Sequence, residues 1–172
     1  SSAASDVYKR QQQYLLKLPE EEYFRMIDHV IRKGDYHDQD PGKIRQAAEI
    51  LKTRLVTLSD LNQKLGLFFE ENPEIKDLQA IEVLKEENSK TVLKEFLQQA
   101  ENLDQLTSEN LGQLVKSVQK STGIKGRGLW MPLRCAITRE VSGPELPAML
   151  DFFGGEKCLH LIRQTLENPS LN

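Results

Sequence analysis

From Leu111 to Arg139 the chain carries Lys116, Lys120, Lys125, Arg127, Arg134 and Arg139, with no Asp or Glu among them. Cations without interleaved acids are suited to a polyanion, because phosphate contacts come mostly from Lys and Arg. The densest part is GIKGRGLWMPLRCAIT, Gly123 to Thr138. Its glycines let backbone approach a phosphate closely, with Lys125 and Arg127 beside them. Trp130, the chain's only tryptophan, is either a stacking surface or a core residue next to Leu129 and Met131. Arg134 presents a planar fork that matches two acceptors at once; the alternative is a helix-end network. The bland reading of the whole stretch is a solvated surface that happens to be basic.

Other chemistry finds little support. A nucleotide-binding glycine loop needs a strand before it and a helix after it, and Gly126-Arg127-Gly128 lacks that context. The histidines His29, His37 and His160 are scattered, so no metal ligand set is expected. Cys158 and His160 are two apart, which points them to different faces of a helix. Glu20-Glu21-Glu22 fits the first turn of a helix better than acid–base work. No catalytic residue is assigned, and the pattern is that of a binding module.

The elements that must position these residues are all helical. LPEEEYFRMIDHVIRKG has Pro19 at a helix start, a stripe of Tyr23, Met26, Ile27, Val30 and Ile31, and Gly34 as a stop. Asp40-Pro41 opens a second helix whose apolar positions run from Ile44 to Leu58. A break near Thr57–Asp60 starts a third through Leu61 and Leu65. EENPEIKD is a connector, since the residue before Pro73 is biased out of the helical region. Later helices follow on Val92 to Ala100, and on Leu111 to Val118 with Thr107 or Ser108 as cap candidates. The three glycines at 123, 126 and 128 read as a loop, with Pro132 restarting a helix. SGPELPAMLDFFGG and EKCLHLIRQTL complete the chain as two helices separated by Gly154-Gly155. The expected fold is all-α, in two small helical domains over 11–72 and 73–172. The first ten residues, SSAASDVYKR, fit no periodic element and read as a disordered or foreign leader outside the fold.

The 172 residues carry a net charge of −3 that hides an asymmetry. Residues 1–112 have 15 basic and 21 acidic side chains, and residues 113–172 have 8 and 5. No apolar run approaches a membrane span, so no membrane partner is expected. Cys135 and Cys158, set among apolar residues, read as reduced core thiols.

The segment GIKGRGLWMPLRCAITREVSGPELPAMLDFFGGEKCLHLIRQTL resembles the C-terminal anticodon-binding region of bacterial-type glutamyl-tRNA synthetases. Gly123, Lys125, Gly126, Leu129, Trp130, Pro132, Leu133, Arg134, Ala136, Thr138, Gly143, Pro144 and Leu146 carry the match. The resemblance extends upstream through RLVTLSDL and LGLFFEEN to QQQYLLKLPEEEY. Two departures stand out. Arg139 replaces a glycine of the pattern, and Lys9-Arg10-Gln11 replaces an asparagine-containing stretch before Tyr14. The ATP-site motifs of the family are absent.

The resemblance implies a helical bundle followed by an α-helix cage type anticodon-binding domain. It implies tRNA as partner, with no cofactor in this chain and ATP and Mg acting in a parent catalytic domain. A monomeric parent in the cytoplasm, or alternatively in an organellar matrix or stroma, goes with it. Residue by residue, it implies anticodon contacts from Arg54, Arg134, Gly143 and Leu146, the last through its apolar side chain. Lys125, Arg127 and Trp130 are expected at the tRNA backbone or a stacked base. Arg54 matches the position that reads the third anticodon base, which favours an enzyme that discriminates glutamate from glutamine tRNA; the alternative is a surface arginine paired with Glu49 or Asp60. A free-standing tRNA-binding or regulatory module, and a helical protein-interaction scaffold, are the competing readings of the chain.

Overall fold

A computed structural model of the chain describes residues 2–55 and 57–172. It contains ten α-helices, two short 3-10 turns and no strand among the described residues. The chain divides into two compact units, the first ending at Glu71 and the second running Asn72–Asn172.

The first unit holds α1 (Ser2–Lys17), α2 (Glu20–Lys33), α3 (Pro41–Leu51) and α4 (Asp60–Phe69). Of the two readings of the leader, disordered or foreign, the first does not hold for residues 2–10, which form the beginning of α1. The segment has no glycine or proline, and its alanines, lysine and arginine are good helix formers. It escaped a search for periodicity because Leu15 is the only residue of α1 that is buried. The α2 stripe buries Tyr23 and Ile27. Tyr23 donates from Oη to the Ala48 carbonyl at 2.8 Å, which satisfies its buried hydroxyl and joins α2 to α3. Burial then raises the Tyr23 pKa.

Asp40 caps α3 by accepting from Lys43 N at 2.9 Å, with Pro41 at the first helical position. The sequence periodicity carried α3 on to Leu58, but the α-helix stops at Leu51. It tightens into a 3-10 turn, Lys52–Arg54, and Leu55 is extended. That change of path puts Leu55 fully into the core of the unit beside Leu51, Leu61 and Leu65. Burial of one leucine outweighs the few tenths of a kcal/mol by which helix propensity distinguishes ordinary residues.

The second unit holds α5 (Leu78–Lys85), α6 (Glu87–Ala100), α7 (Leu111–Thr122), α8 (Arg127–Thr138), α9 (Leu146–Phe153) and α10 (Gly155–Glu167). α8 is central, packing on α5, α6, α9 and α10. Its Leu129, Leu133, Cys135, Ala136 and Ile137 are all buried, as are Phe96 of α6 and Leu161 and Ile162 of α10. Cys135 and Cys158 are free and buried, and burial pushes both thiols up to about 12. The N-cap of α7 is Asn110, not Thr107 or Ser108. Thr107 still contributes: Thr107 N donates to Asn110 Oδ1 at 2.8 Å, and Asn110 N donates to Thr107 Oγ1 at 3.3 Å.

Arg139 is the C-cap of α8 at φ 64, and its side chain is only 6% exposed. It was grouped above with surface cations, and that grouping is wrong for this residue. Its Nε donates to Pro73 O at 3.1 Å. Nη1 donates to Ala136 O and Thr165 Oγ1, both at 2.7 Å, and more weakly to Leu161 O at 3.4 Å. Nη2 donates to Gln164 Oε1 at 3.2 Å. The guanidinium therefore ties the end of α8 to α10 and to the chain entering the unit. Burial lowers its pKa to about 10, so it keeps its charge at neutral pH.

Replacing Arg139 leaves several of these acceptors unsatisfied, and alanine keeps the left-handed strain of about 1 kcal/mol that the arginine already carries and glycine avoids. Arg139→Ala is expected to lower the unfolding free energy by about 2–4 kcal/mol. Arg139→Gly is expected to lose about 1 kcal/mol less. Urea unfolding followed by Trp130 fluorescence checks both, and equal losses would remove the backbone part of the argument.

Candidate nucleic-acid interface

The basic segment begins where α7 stops. Gly123 ends that helix at φ 74, with its N–H donating to Gln119 O at 2.8 Å. Gly126 then takes φ 62 and ψ −133 as the N-cap of α8. A side chain at either position meets no steric obstacle, so it is the backbone conformation that calls for glycine. The loop is shorter than the three glycines suggested. Arg127 and Gly128 already belong to α8, and Leu129 N and Trp130 N donate to Gly126 O at 3.1 Å. Pro132 lies inside the helix instead of restarting it. Its missing donor leaves the Gly128 carbonyl without the usual bond, near the start of a helix and at an exposed residue.

This geometry aims a face of α8 at solvent. Arg127, Trp130 and Arg134 stand at i, i+3 and i+7 and share one side of the helix, opposite the buried Leu129 and Leu133. Lys125 and Arg127 are exposed, next to the first N–H groups of α8 and the positive end of its dipole. Trp130 is 42% exposed, which resolves its two readings in favour of a surface ring. Lys116 and Lys120 are also exposed on α7.

Arg134 is less open, with 24% of its side chain accessible. Its Nη2 donates to Glu145 Oε2 at 3.0 Å, while the Glu145 side chain is 66% exposed. Arg134 thus sits in an ion pair with Glu145 at the surface. Sequence reading assigned no role to Glu145. Eleven residues separate it from Arg134, and only the turn between α8 and α9 brings them together.

That turn explains two other candidates. Gly143 is buried against Thr138, whose side chain occupies the space a Cβ would need. Thr138 Oγ1 bonds Arg134 O at 2.8 Å and Glu140 O at 3.0 Å, and Val141 N donates to Asp77 Oδ2 at 2.9 Å. Gly143 is therefore required by packing. Leu146 is 3% exposed in the core of the unit. The expectation that its side chain lies against a base is corrected. As the first residue of α9, it anchors the helix that carries Glu145 at its cap.

Arg54 lies in the first unit, at the end of the 3-10 turn Lys52–Arg54, and is half-buried. The turn is held from two sides. Gln12 Nε2 of α1 donates to Thr53 O at 2.9 Å. Lys52 Nζ donates to Leu18 O at 3.2 Å and lies 5.0 Å from the centre of the Tyr23 ring. Neither tether was visible in the sequence, because both join residues more than thirty positions apart.

One further cavity, of about 430 Å³, lies in the second unit between Pro73, Ile75, Ile81, Gln164, Asn168 and Arg139. The guanidinium in its wall is already engaged with acceptors of the fold. Among the described residues no three His, Cys, Asp or Glu side chains gather as a metal site, and no helix is long and apolar enough to cross a membrane.

Residues 7–166 match a family model described as an anticodon binding domain. A glutamate–tRNA ligase of Latilactobacillus sakei subsp. sakei (strain 23K) is 41% identical over 144 residues, covering 81% of this chain and 29% of the relative. One from Geobacillus stearothermophilus is 31% identical over 160 residues, covering 90% of this chain and 32% of the relative. The chain thus spans less than a third of the length of these relatives. Among solved structures, a glutamate tRNA ligase from Elizabethkingia meningosepticum in complex with its amino acid superposes with a TM-score of 0.68. That alignment covers 94% of this chain and 32% of the other, at 21% identity, and shows a shared fold.

Because Trp130 is the only tryptophan, fluorescence reports on this face alone. With Arg127 and Arg134 flanking the ring, iodide is expected to quench it more strongly than caesium at equal ionic strength. The reverse order would mean the ring does not sit in a positive field.

Proposed function

The chain belongs to the anticodon-binding domain family, and on that premise we propose that it grips the anticodon loop of a glutamate-accepting tRNA as the C-terminal part of a glutamate–tRNA ligase. The observation that carries this reading is the solvent face of α8. It presents Arg127, Trp130 and Arg134 in one row, with Lys125 at its entrance. An anticodon is single-stranded, so its bases can be splayed out, stacked on planar side chains and read on their edges. Lys125, Arg127 and the α8 N-terminus supply phosphate contacts, Trp130 a stacking ring, and Arg134 a donor edge. In this reading the parent enzyme joins glutamate to tRNA with ATP and Mg in a catalytic domain outside this chain. It acts as a monomer in the cytoplasm, or in an organellar matrix or stroma.

Arg54 supplies specificity at the third anticodon base. Glutamate anticodons end in cytosine and glutamine anticodons in guanine. The cytosine edge offers O2 and N3 as acceptors to guanidinium donors. Guanine instead turns N–H donors toward donors and leaves them unpaired. A good bidentate base contact is worth about 1–3 kcal/mol, roughly 5- to 150-fold in binding.

Two experiments test these roles with anticodon stem-loops in filter binding. Arg54→Gln is expected to reduce the preference for a C-ending over a G-ending loop by a factor in that range. An unchanged ratio removes Arg54 from the reading set. Lys125→Ala with Arg127→Ala is expected to weaken both loops equally and to flatten the dependence of log K on log salt by about 1 to 2. A salt slope that stays put takes this loop away from the phosphates. If wild type retains neither loop at low salt, the tRNA reading falls.

A further inference from the structure

The turn between α8 and α9 makes a contact that the anticodon reading does not require. Glu145 is the N-cap of α9, yet its side chain makes no capping bond to that helix. It reaches Arg134 instead, with Nη2 to Oε2 at 3.0 Å and the carboxylate largely in solvent. A surface ion pair of this kind adds little to stability. It does change what the arginine presents to RNA.

We propose that Glu145 is a specificity-determining residue, which neutralises Arg134 so that the guanidinium is available to a nucleobase edge but not to a passing phosphate. The inference rests on the reading of Arg134 as an anticodon contact. Phosphate binding depends on net charge and counterion release, and it carries no sequence information. A guanidinium beside a carboxylate contributes little net charge at the distance of an RNA backbone. It still has further donors, because Glu145 engages Nη2 and the fork has five N–H groups. The contact with the carboxylate also limits the orientations open to that fork. A base edge matched to its plane gains directed hydrogen bonds, whereas a phosphate, which can bind from many directions, gains no such advantage and meets a nearby negative charge. The device is one of repulsion against the wrong ligand. Lys125 and Arg127, both exposed at the start of α8, serve general attraction. Arg134 is set apart from them by Glu145.

The test uses the 172-residue chain, with an anticodon stem-loop of the glutamate type and a stem-loop whose anticodon is replaced by adenines. Glu145→Gln keeps the size and a hydrogen-bond acceptor but removes the charge. It is expected to tighten the adenine loop about threefold or more, and to steepen its salt dependence by about 0.7. The glutamate-type loop should gain less, so the ratio between them falls. The same change made on Arg134→Gln should produce no such gain, since there is then no guanidinium to release. Loss of a merely structural contact would lower the melting temperature without tightening any RNA. A gain that persists with Arg134→Gln overturns the inference, as does an unchanged ratio in Glu145→Gln; either leaves the anticodon reading intact where Arg134→Gln itself lowers discrimination. If Arg134→Gln leaves both loops unaffected, the role of Arg134 and the inference fall together.

Discussion

The second unit is organised around a cation that has no place in a simple helical core. Arg139 lies in the interior with its guanidinium bonded to carbonyl, hydroxyl and amide oxygens, all of them neutral. Taking a charge out of water costs several kcal/mol unless its donors are met. Here they are met by groups that need donors themselves: Ala136 O at the open end of α8, Thr165 Oγ1 on α10, and Pro73 O in the connector. One side chain thus closes a helix end and seats the incoming strand of chain. Its backbone accepts the left-handed conformation that breaks α8, and the turn toward α9 starts from there. Gln164 continues the arrangement, accepting from Arg139 and donating to Asn72 Oδ1. A glycine satisfies the φ requirement alone, whereas the arginine satisfies it less well and adds the bonds.

Everything exposed on α8 follows from how firmly its other side is fixed. The helix is central to its unit, so its apolar face admits only one rotation about the axis. That rotation determines which residues remain outside. Trp130 follows Leu129 directly in sequence, yet one is at the surface and the other buried, because they are 100° apart on the helix. The glycine at 126 sets where the helix starts, and Thr138 packed against Gly143 sets how the chain leaves it. Function in this face is therefore a consequence of packing beneath it.

Helix positions with a periodic apolar stripe and a local cap were legible in the sequence. α2 between Pro19 and Gly34, α3 behind Asp40, and α9 and α10 around Gly154 all rest on interactions within four residues. What escaped were features set by distant partners. Leu55 leaves the helical path because the core of its unit takes it. Arg139 looked like one more surface cation, since nothing nearby in sequence announces Thr165 or Pro73. Leu146 looked like a ligand contact through the resemblance of its segment, but burial claims its side chain. α1 was missed for the opposite reason: a helix with almost no buried face leaves no stripe to find. The candidate site was legible in its residue types and illegible in its pairings, of which Arg134 with Glu145 is the clearest.

A chain with net charge −3 is an unpromising partner for RNA if charge is summed over the molecule. At physiological salt the screening length is about 8 Å, so exposed charges on distant helices contribute little at a given phosphate. What counts is the local field over the α7–α8 loop, where Lys120, Lys125 and Arg127 are exposed and the sequence has no acid until Glu140. In the proposed reading the surrounding acidity weakens attraction for RNA away from that loop. A uniformly basic domain would bind any RNA in many orientations. A small basic face on an acidic body binds in few, and orientation is the condition for an arginine to meet a base edge rather than a backbone. The exposed carboxylate of Glu145 at the border of that face repeats the same arrangement at the scale of a single side chain.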